Sequence, residues 1–181
     1  MTERAAGEVV TPLYSAERIA GRVEAIAHEI AASSPADLVI VSILKGSFIF
    51  AADLIRALHR DGLKPEIDFI FLASYGTGTI SGGEVKVLRG VETDLAGRDV
   101  LIVDDILDSG RTLAFAKALF EKSGARRVRT CVLVDKQVPR AAKIEPDFTG
   151  FRCPPVFVVG YGMDLAHRYR ELPFIGEVGS P

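Results

Sequence analysis

The sequence predicts an α/β protein built around a mainly parallel sheet, and two repeated patterns support that prediction. The segment 38–44, LVIVSIL, is an apolar, β-rich run, and a helical pattern follows it from Phe48 to about Arg60. The same order of strand, loop and helix recurs at 99–123. Apolar runs of this length are typical of strands that are covered on both faces, and repeated units of this kind favour parallel pairing.

Other segments add a further helix and several strands. A helix is expected after Ser15, which can cap its amino end, because isoleucine and valine then recur every three or four residues. Apolar segments predict the remaining strands at 66–73, about 84–89, 127–135 and 156–161. Two segments favour irregular structure: the glycine-rich 76–83, expected as the tip of a mobile loop, and the proline-rich 137–155, expected as a cap over one sheet edge.

Composition narrows the class of protein. A length of 181 residues, 48% of them hydrophobic, predicts one globular domain. Because 22 basic residues face 24 acidic ones, the chain lacks the basic excess that general nucleic-acid binding needs. The first residues do not resemble a signal peptide, no segment is apolar enough to span a membrane, and the two cysteines have no disulfide or zinc spacing. We therefore expect a cytoplasmic protein, with neither nucleic acid nor membrane as a partner.

The segment 100–113, VLIVDDILDSGRTL, is the strongest candidate for a functional site. Asp104 and Asp105 end an apolar strand, and a turn of small residues at 108–112 leads into a helix. Ligands of open α/β sheets bind beyond the carboxyl ends of strands, where helix amino ends offer free amides to phosphate. The turn is therefore interpreted as a phosphate cradle. The two carboxylates would repel phosphate, so they need another partner, such as a ribose diol with or without Mg²⁺.

Each small residue of the turn suits this interpretation. Gly110 allows close approach of the backbone, and the hydroxyls of Ser109 and Thr112 add hydrogen-bond donors. The whole motif, Asp104-Asp105 followed by Asp108-Ser109-Gly110-Arg111-Thr112, resembles the signature with which type I phosphoribosyltransferases bind phosphoribosyl pyrophosphate (PRPP). The alternative, an acidic strand end before a capped helix, would explain one aspartate but is the poorer account of the ordered set. A Walker-type phosphate loop is excluded, because the string GxxxxGK[ST] is absent.

The resemblance runs in order from about residue 10 to 178. It implies the type I phosphoribosyltransferase fold, a mainly parallel twisted sheet flanked by helices with a small irregular hood. The expected division of the single domain 1–181 is a core at about 35–140, a hood from the N-terminal segment and about 140–181, and a mobile lid at about 74–88. One departure is Asp104, which stands where many relatives carry glutamate and so reaches one methylene less far.

Two loops resemble those of hypoxanthine-guanine phosphoribosyltransferases. The segment 44–47, LKGS, is similar to the pyrophosphate-binding loop, in which the bond before the lysine can be cis. By that resemblance, the amides that face pyrophosphate are those of Lys45, Gly46 and Ser47. Taken alone, the tetrapeptide fits equally well a plain strand-to-helix turn with Ser47 as N-cap. Ser74-Tyr75 resembles the start of a lid that excludes water from a reactive sugar cation, although alone it favours an exposed hairpin tip.

Purine recognition is implied by two further segments. Asp135-Lys136, followed by Arg140, resembles the site where a lysine donates to the purine 6-oxo group, although a strand-end lysine alone is usually just solvated. An ammonium group only donates, which suits a carbonyl at C6 and disfavours the amino group of adenine. The segment 157–164, FVVGYGMD, with Arg170 after it, is the second strong match.

By that match, Phe157 stacks on the purine and the carbonyl of Val158 accepts from the ring or its amino group. Asp164 ligates magnesium, and Arg170 contacts pyrophosphate. The alternative interpretation makes 157–159 the ordinary core of a buried strand.

The resemblance implies an enzyme that needs Mg²⁺ and joins N9 of a 6-oxopurine, hypoxanthine or guanine, to the 5-phosphoribosyl group of PRPP. Asp104 and Asp105 would hold the ribose and ligate the metal, and Asp108 would be the general base. A homo-oligomer, dimeric or tetrameric, is expected. The alternatives are a PRPP-binding regulator of the same fold, a nucleotide-binding module without turnover, and an enzyme that prefers xanthine. Uracil and adenine fit Lys136 and the 157–164 segment less well.

Overall fold

The computed structural model describes residues 9–75 and 84–179, in which strands alternate with helices. In chain order the elements are β1 (Val9–Tyr14), α1 (Ala16–Ala32), β2 (Leu38–Leu44), α2 (Phe48–Arg60), β3 (Glu66–Tyr75), β4 (Glu84–Arg89), β5 (Asp99–Leu107), α3 (Arg111–Lys122), β6 (Arg127–Lys136), β7 (Phe148–Cys153), β8 (Val158–Val159) and β9 (Ile175–Gly179). No helix in these two ranges is both long and apolar enough to cross a membrane.

The main sheet has six strands in the order β4-β3-β2-β5-β6-β7. Its neighbouring strands are parallel, except for the antiparallel pair of β3 and β4 at one edge. The mainly parallel sheet predicted from the sequence is thus confirmed. Because β2, β5 and β6 are parallel and adjacent, the residues that follow them meet at one edge of the sheet.

Both faces of the main sheet are covered, which explains why β2 and β5 are apolar along most of their length. On one face, Ile40 of β2 packs in a cluster with residues of α1 and α2. On the other, Val39 and Val41 pack in a cluster with residues of α3. Helix α1 begins as predicted, since the Ser15 hydroxyl accepts a hydrogen bond from the amide of Arg18. Its predicted apolar stripe is buried at Ile19, Val23, Ile26 and Ile30.

A second, antiparallel sheet has the order β1-β9-β8, and here the sequence prediction was incomplete. The strand predicted at 156–161 was wrong in extent, because only β8 is a strand and it belongs to this small sheet. Positive φ angles at Gly160, Tyr161 and Gly162 turn the chain away directly after β8. The irregular segment predicted at 137–155 was also partly wrong, because β7 within it is the edge strand of the main sheet.

Candidate active site

A cleft of about 280 Å³ lies at the edge of the main sheet where β2 and β5 end, and we call it the strand-end cleft. It brings together two segments that the sequence singled out separately. Its polar and glycine lining includes Lys45, Gly46, Asp104, Asp105, Asp108, Ser109, Gly110 and Thr112. The pairing of β2 with β5 causes this meeting, because Ser42 lies beside Val103, one residue before the acid pair.

The phosphate turn, residues 108–112, joins β5 to α3 in a conformation that requires glycine. Gly110 has φ +78°, in the left-handed region, and it is the N-cap residue of α3. A Cβ atom there would lie 2.9 Å from the carbonyl oxygen of Ala142. Gly110 therefore allows the backbone of a neighbouring loop to pack closely against the phosphate turn. At the helix start, the Ser109 hydroxyl lies 3.5 Å from the amide of Arg111.

The two acids at the end of β5 are held in an unfavourable setting for negative charge. Asp104 is only 7% exposed, and its pKa is raised well above the usual range by burial and by the neighbouring Asp105 carboxylate. Burial also raises the pKa of Asp105, opposed in part by hydrogen bonds and by the charge of Arg170. Within the described ranges, neither carboxylate forms an ion pair with a basic side chain. The site is therefore suited to a ligand that brings hydroxyl donors or a cation.

The loop after β2 packs tightly against this acid pair. The peptide between Leu44 and Lys45 is cis, as the resemblance implied. A Cβ atom on Gly46 would lie 1.7 Å from Oδ2 of Asp105, so only glycine fits there. On the other side, Gly162 has φ +101°, and a Cβ atom on it would lie 2.1 Å from the Gly46 carbonyl oxygen. Two glycines thus let three chain segments meet, and the sequence did not single out Gly162 for this role.

Ser47 is buried but does not cap α2 with its side chain. Its hydroxyl donates to the carbonyl of Ile43 and lies 2.7 Å from the hydroxyl of Ser42. Ser47 therefore occupies the N-cap position of α2, as the alternative interpretation has it, but its hydroxyl does not hydrogen-bond the first turn of the helix. Lys45 projects over Phe71, with its Nζ atom 5.8 Å from the ring centroid.

Lys136 and Asp108 lie in contact, although 28 residues separate them in sequence. Lys136 Nζ donates to Oδ2 of Asp108 at 3.2 Å. Side-chain exposure is 14% for Lys136 and 56% for Asp108, so the carboxylate remains accessible to a ligand while the lysine is largely covered. This contact brings the predicted purine-binding lysine to the predicted general base.

The segment after β8 places the remaining predicted residues. Phe157 is 49% exposed, so its interpretation as strand core is wrong, whereas Val158 is buried as core. Asp164 and Arg170 form an ion pair at 2.6 Å, and the amide of His167 donates to the second carboxylate oxygen of Asp164 at 2.8 Å. The predicted magnesium ligand and the predicted pyrophosphate ligand are therefore joined to each other.

These residues suit a Mg²⁺ ion that takes part of its ligands from the substrate. Among the described residues, no group of three or more side chains is arranged as a metal cage. Mg²⁺ commonly binds proteins through one or two carboxylates and takes further oxygen ligands from substrate phosphates and water. The acid pair, which has no ion-pair partner among the described basic side chains, matches that pattern. For the predicted lid, residues 76–83 and the side chains of Ser74 and Tyr75 lie outside the described part of the chain.

Comparison with known proteins agrees with the fold and the site. Residues 10–165 match the family model for the phosphoribosyl transferase domain. The chain therefore belongs to the phosphoribosyltransferase family, and the α/β type I fold predicted from the sequence is confirmed.

Its relatives within that family have more specific names. The chain is 47% identical over 136 residues to the hypoxanthine-guanine phosphoribosyltransferase of Bacillus subtilis, covering 75% of this chain and 74% of the relative. It is 43% identical over 145 residues to the hypoxanthine phosphoribosyltransferase of Escherichia coli K12, covering 80% of each. A crystal structure of a hypoxanthine-guanine phosphoribosyltransferase from Bacillus anthracis superimposes with a TM-score of 0.85 at 37% identity, covering 95% of this chain and 99% of that one.

Proposed function

We propose that this protein transfers the 5-phosphoribosyl group of PRPP to N9 of a 6-oxopurine, hypoxanthine or guanine, and releases pyrophosphate. The observation that carries the proposal is the meeting of three features at one sheet edge: the buried acid pair, the phosphate turn and the Lys136–Asp108 contact. The names of the relatives support the same reaction.

The ribose would bind at Asp104 and Asp105. Carboxylates accept hydrogen bonds from a ribose diol; Asp104 is buried and Asp105 is partly buried, and neither has a basic partner in the described ranges. A ligand that donates to them would offset the cost of burying their charge. Their negative charge also lies where it can stabilise an oxocarbenium-like sugar in the transition state.

The phosphates of PRPP would bind at two places. The 5-phosphate would bind the phosphate turn, where the residues predicted to contact it are Asp108, Ser109, Gly110, Arg111 and Thr112. Free amides at the start of α3 favour an anion there. The pyrophosphate would bind the loop after β2, through Lys45, Gly46 and Ser47, and Arg170. Closure of the predicted lid with Ser74 and Tyr75 would keep water out.

Magnesium would be held by Asp104, Asp105 and Asp164, with substrate oxygens completing its ligands. When bound, it would supply charge neutralisation that makes pyrophosphate a better leaving group. Since Asp164 is paired with Arg170, substrate binding would have to divide this pair, leaving Arg170 for the pyrophosphate and Asp164 for the cation.

The purine would bind over Phe157, with the Val158 carbonyl accepting from its ring or amino group. Lys136 would donate to the 6-oxo oxygen, and Asp108 would take or share the N7 proton while N9 attacks C1 of the ribose. The 3.2 Å contact between Lys136 and Asp108 supports this division of roles, because it places donor and acceptor side by side, as O6 and N7 are in a 6-oxopurine. We further propose a dimeric or tetrameric assembly, which the resemblance implies, and a cytoplasmic location.

The test is turnover with a panel of bases. The protein would be mixed with PRPP, Mg²⁺ and, separately, hypoxanthine, guanine, xanthine, adenine and uracil, and nucleotide formation would be followed. We expect nucleotides from hypoxanthine or guanine and none from adenine or uracil. Turnover with xanthine alone would replace the proposed substrate. Measurable PRPP binding without turnover on any base would favour a regulatory protein of the same fold instead.

A further inference from the structure

We infer that Arg140 is a positioning residue that holds both the phosphate turn and Lys136 in place, an inference that rests on the proposed function. Arg140 does not line the strand-end cleft, although it lines a neighbouring cavity together with Asp135 and Lys136. It connects the end of β6, which carries Lys136, to residues 140–145, which we call the backing loop. Because both of its terminal nitrogens are hydrogen-bonded to protein acceptors, its effect on substrates would pass through other groups.

The first connection is a buried ion pair at the end of β6. Arg140 Nη2 donates to Oδ1 of Asp135, and the two side chains are only 14% and 6% exposed. A buried charge is costly unless it is paired, so each member of this pair holds the other in position. Asp135 is adjacent to Lys136, whose Nζ atom reaches Asp108. The ion pair thus fixes the strand end from which the proposed purine ligand extends.

The second connection closes the backing loop. The other terminal nitrogen of Arg140, Nη1, donates to the carbonyl of Ile144 and to Oε1 of Glu145, both at 2.8 Å. A guanidinium group presents its donors in one fixed plane, so a single side chain fixes three acceptors relative to each other. Lysine has a single charged nitrogen and could not reproduce this arrangement.

The backing loop in turn supports the phosphate turn. The amides of Ala141 and Ala142 both donate to the carbonyl oxygen of Ser109, at 3.0 and 3.1 Å. In a planar trans peptide the carbonyl and the next N–H point in opposite directions. The two donors therefore direct the N–H of Gly110 away from the backing loop. The Ala142 carbonyl also lies against Gly110, close enough that displacement of the loop would displace the turn.

Loss of the guanidinium would therefore have two consequences at the site. The backing loop would lose its attachment to β6, and the amides of the phosphate turn would lose their alignment. Asp135 would also be left without its partner beside Lys136, which could then turn from Asp108 toward Asp135. Both changes weaken substrate binding more than the chemical step, because Asp108 itself is unchanged.

The test compares Arg140→Met with a matched control, Arg127→Met. Arg127 pairs with the buried Asp99 at the opposite end of the parallel strands, so the control also removes one arginine from a buried carboxylate. We expect Arg140→Met to raise the KM for PRPP on the order of tenfold, the loss typical of one well-aligned hydrogen bond to a charged group. Its kcat should stay within about threefold of wild type, and Arg127→Met should change neither constant.

A second readout follows the turn directly and does not depend on turnover. Hydrogen–deuterium exchange of the peptide that covers 108–112 should be faster in Arg140→Met than in wild type and unchanged in Arg127→Met. If wild type neither binds nor uses PRPP, the proposed function fails, while this exchange still tests the link from Arg140 to the turn. Unchanged exchange and an unchanged KM for PRPP in a folded Arg140→Met would overturn the inference.

Two further variants guard against a folding defect. Arg140→Lys keeps the positive charge, and Asp135→Asn with Arg140→Met removes the buried charge together with its partner. We expect both to fold and both to keep a raised KM for PRPP and faster exchange at 108–112, because neither restores the three fixed contacts. Recovery of wild-type values in the double variant would show that Arg140 serves only to neutralise Asp135, and would contradict a positioning role.

Discussion

The two ends of strand β5 carry buried aspartates in opposite electrostatic settings. At the amino end, Asp99 is 2% exposed, and Arg126 and Arg127 both pair with it. At the carboxyl end, Asp104 is 7% exposed, and the charge that raises its pKa is that of another acid, Asp105. One strand thus contains a neutralised carboxylate and, five positions later, a pair that the described residues leave without an ion-pair partner.

The difference favours a stabilising role for the amino end of β5 and agrees with the ligand site proposed at its carboxyl end. A carboxylate satisfied by arginines has its partners within the protein. Carboxylates buried without them cost folding free energy, and this cost is offset when a ligand supplies hydroxyl donors or a cation. In this account, the carboxylates at the carboxyl end of β5 have no basic partner among the described residues, so that they can bind the ribose and magnesium of PRPP.

The largest expected effect is on turnover, from Asp108→Asn in the phosphate turn. Asparagine cannot take the N7 proton, so kcat should fall on the order of 10²–10⁴-fold. Because Asp108 is 56% exposed, the melting temperature should change little. Steady-state kinetics and thermal unfolding would check both, with Asp99→Asn as the control that keeps its turnover. A fully active Asp108→Asn would remove Asp108 from the mechanism.

The next effect is on stability, from Asp99→Asn at the amino end. Burial alone would raise the pKa of Asp99, but hydrogen bonds from Arg126 and Arg127 outweigh it and hold the pKa below its usual range. We expect the substitution to cost about 1–3 kcal/mol, measured by urea unfolding at pH 7. Since the folded-state pKa is depressed, this stabilisation is present above about pH 3.9 and disappears as the pH falls through the folded-state value. Equal stability of variant and wild type at pH 7 would show that the pairing of Asp99 with Arg126 and Arg127 does not stabilise the fold.

A smaller effect of opposite sign is expected from Asp104→Asn. The raised pKa of Asp104 means that the folded state holds a proton that the unfolded state releases, so wild-type stability falls as pH rises above about 3.9. The variant should therefore melt at least about 2 °C higher than wild type at neutral pH. Its PRPP affinity should fall about tenfold, because an amide oxygen is a weaker acceptor for the ribose hydroxyls than a carboxylate. A lower melting temperature at neutral pH would mean that Asp104 is stabilising and that the two ends of β5 do not differ as described.

The smallest effect is on base choice, from Lys136→Met. Loss of the donor to O6 should raise the KM for hypoxanthine several-fold, within the range of one hydrogen bond, and should narrow the preference for hypoxanthine over adenine. Competition assays with the two bases would measure the preference. Retention of full discrimination by the variant would assign base selection to other groups, such as the backbone at Val158.

The parts of this molecule that the sequence predicted correctly are those encoded by neighbouring residues. The unit formed by β5, the phosphate turn and α3 was predicted because its apolar run, acids and small residues are contiguous. Strand β7 was missed because Thr149, Gly150 and Arg152 interrupt its apolar pattern. That glycine is required by packing, since a Cβ atom there would lie 2.3 Å from the carbonyl oxygen of Leu133.

For the candidate site too, the sequence predicts residue identities but not the contacts between residues distant in the chain. The identities of Asp104, Asp105 and Asp108 follow from one motif, and Lys136 was named by resemblance. Their mutual contacts could not be predicted, because they depend on the register between parallel strands and on a loop that folds back onto the turn. In that register Leu107 lies beside Asp135, which places Lys136 within reach of Asp108. The contribution of Arg140 likewise depends on acceptors that only the folded chain brings together.

Calorimetric titration of PRPP in the presence of Mg²⁺ tests the central claim most directly, with wild type, Asp99→Asn and Asp104→Asn compared at one pH and salt concentration. The account predicts saturable binding of one PRPP per chain to wild type, the same affinity for Asp99→Asn, and weaker binding to Asp104→Asn. No binding to wild type, or equal weakening by the two substitutions, would contradict the assignment of the carboxyl end of β5 as the PRPP site.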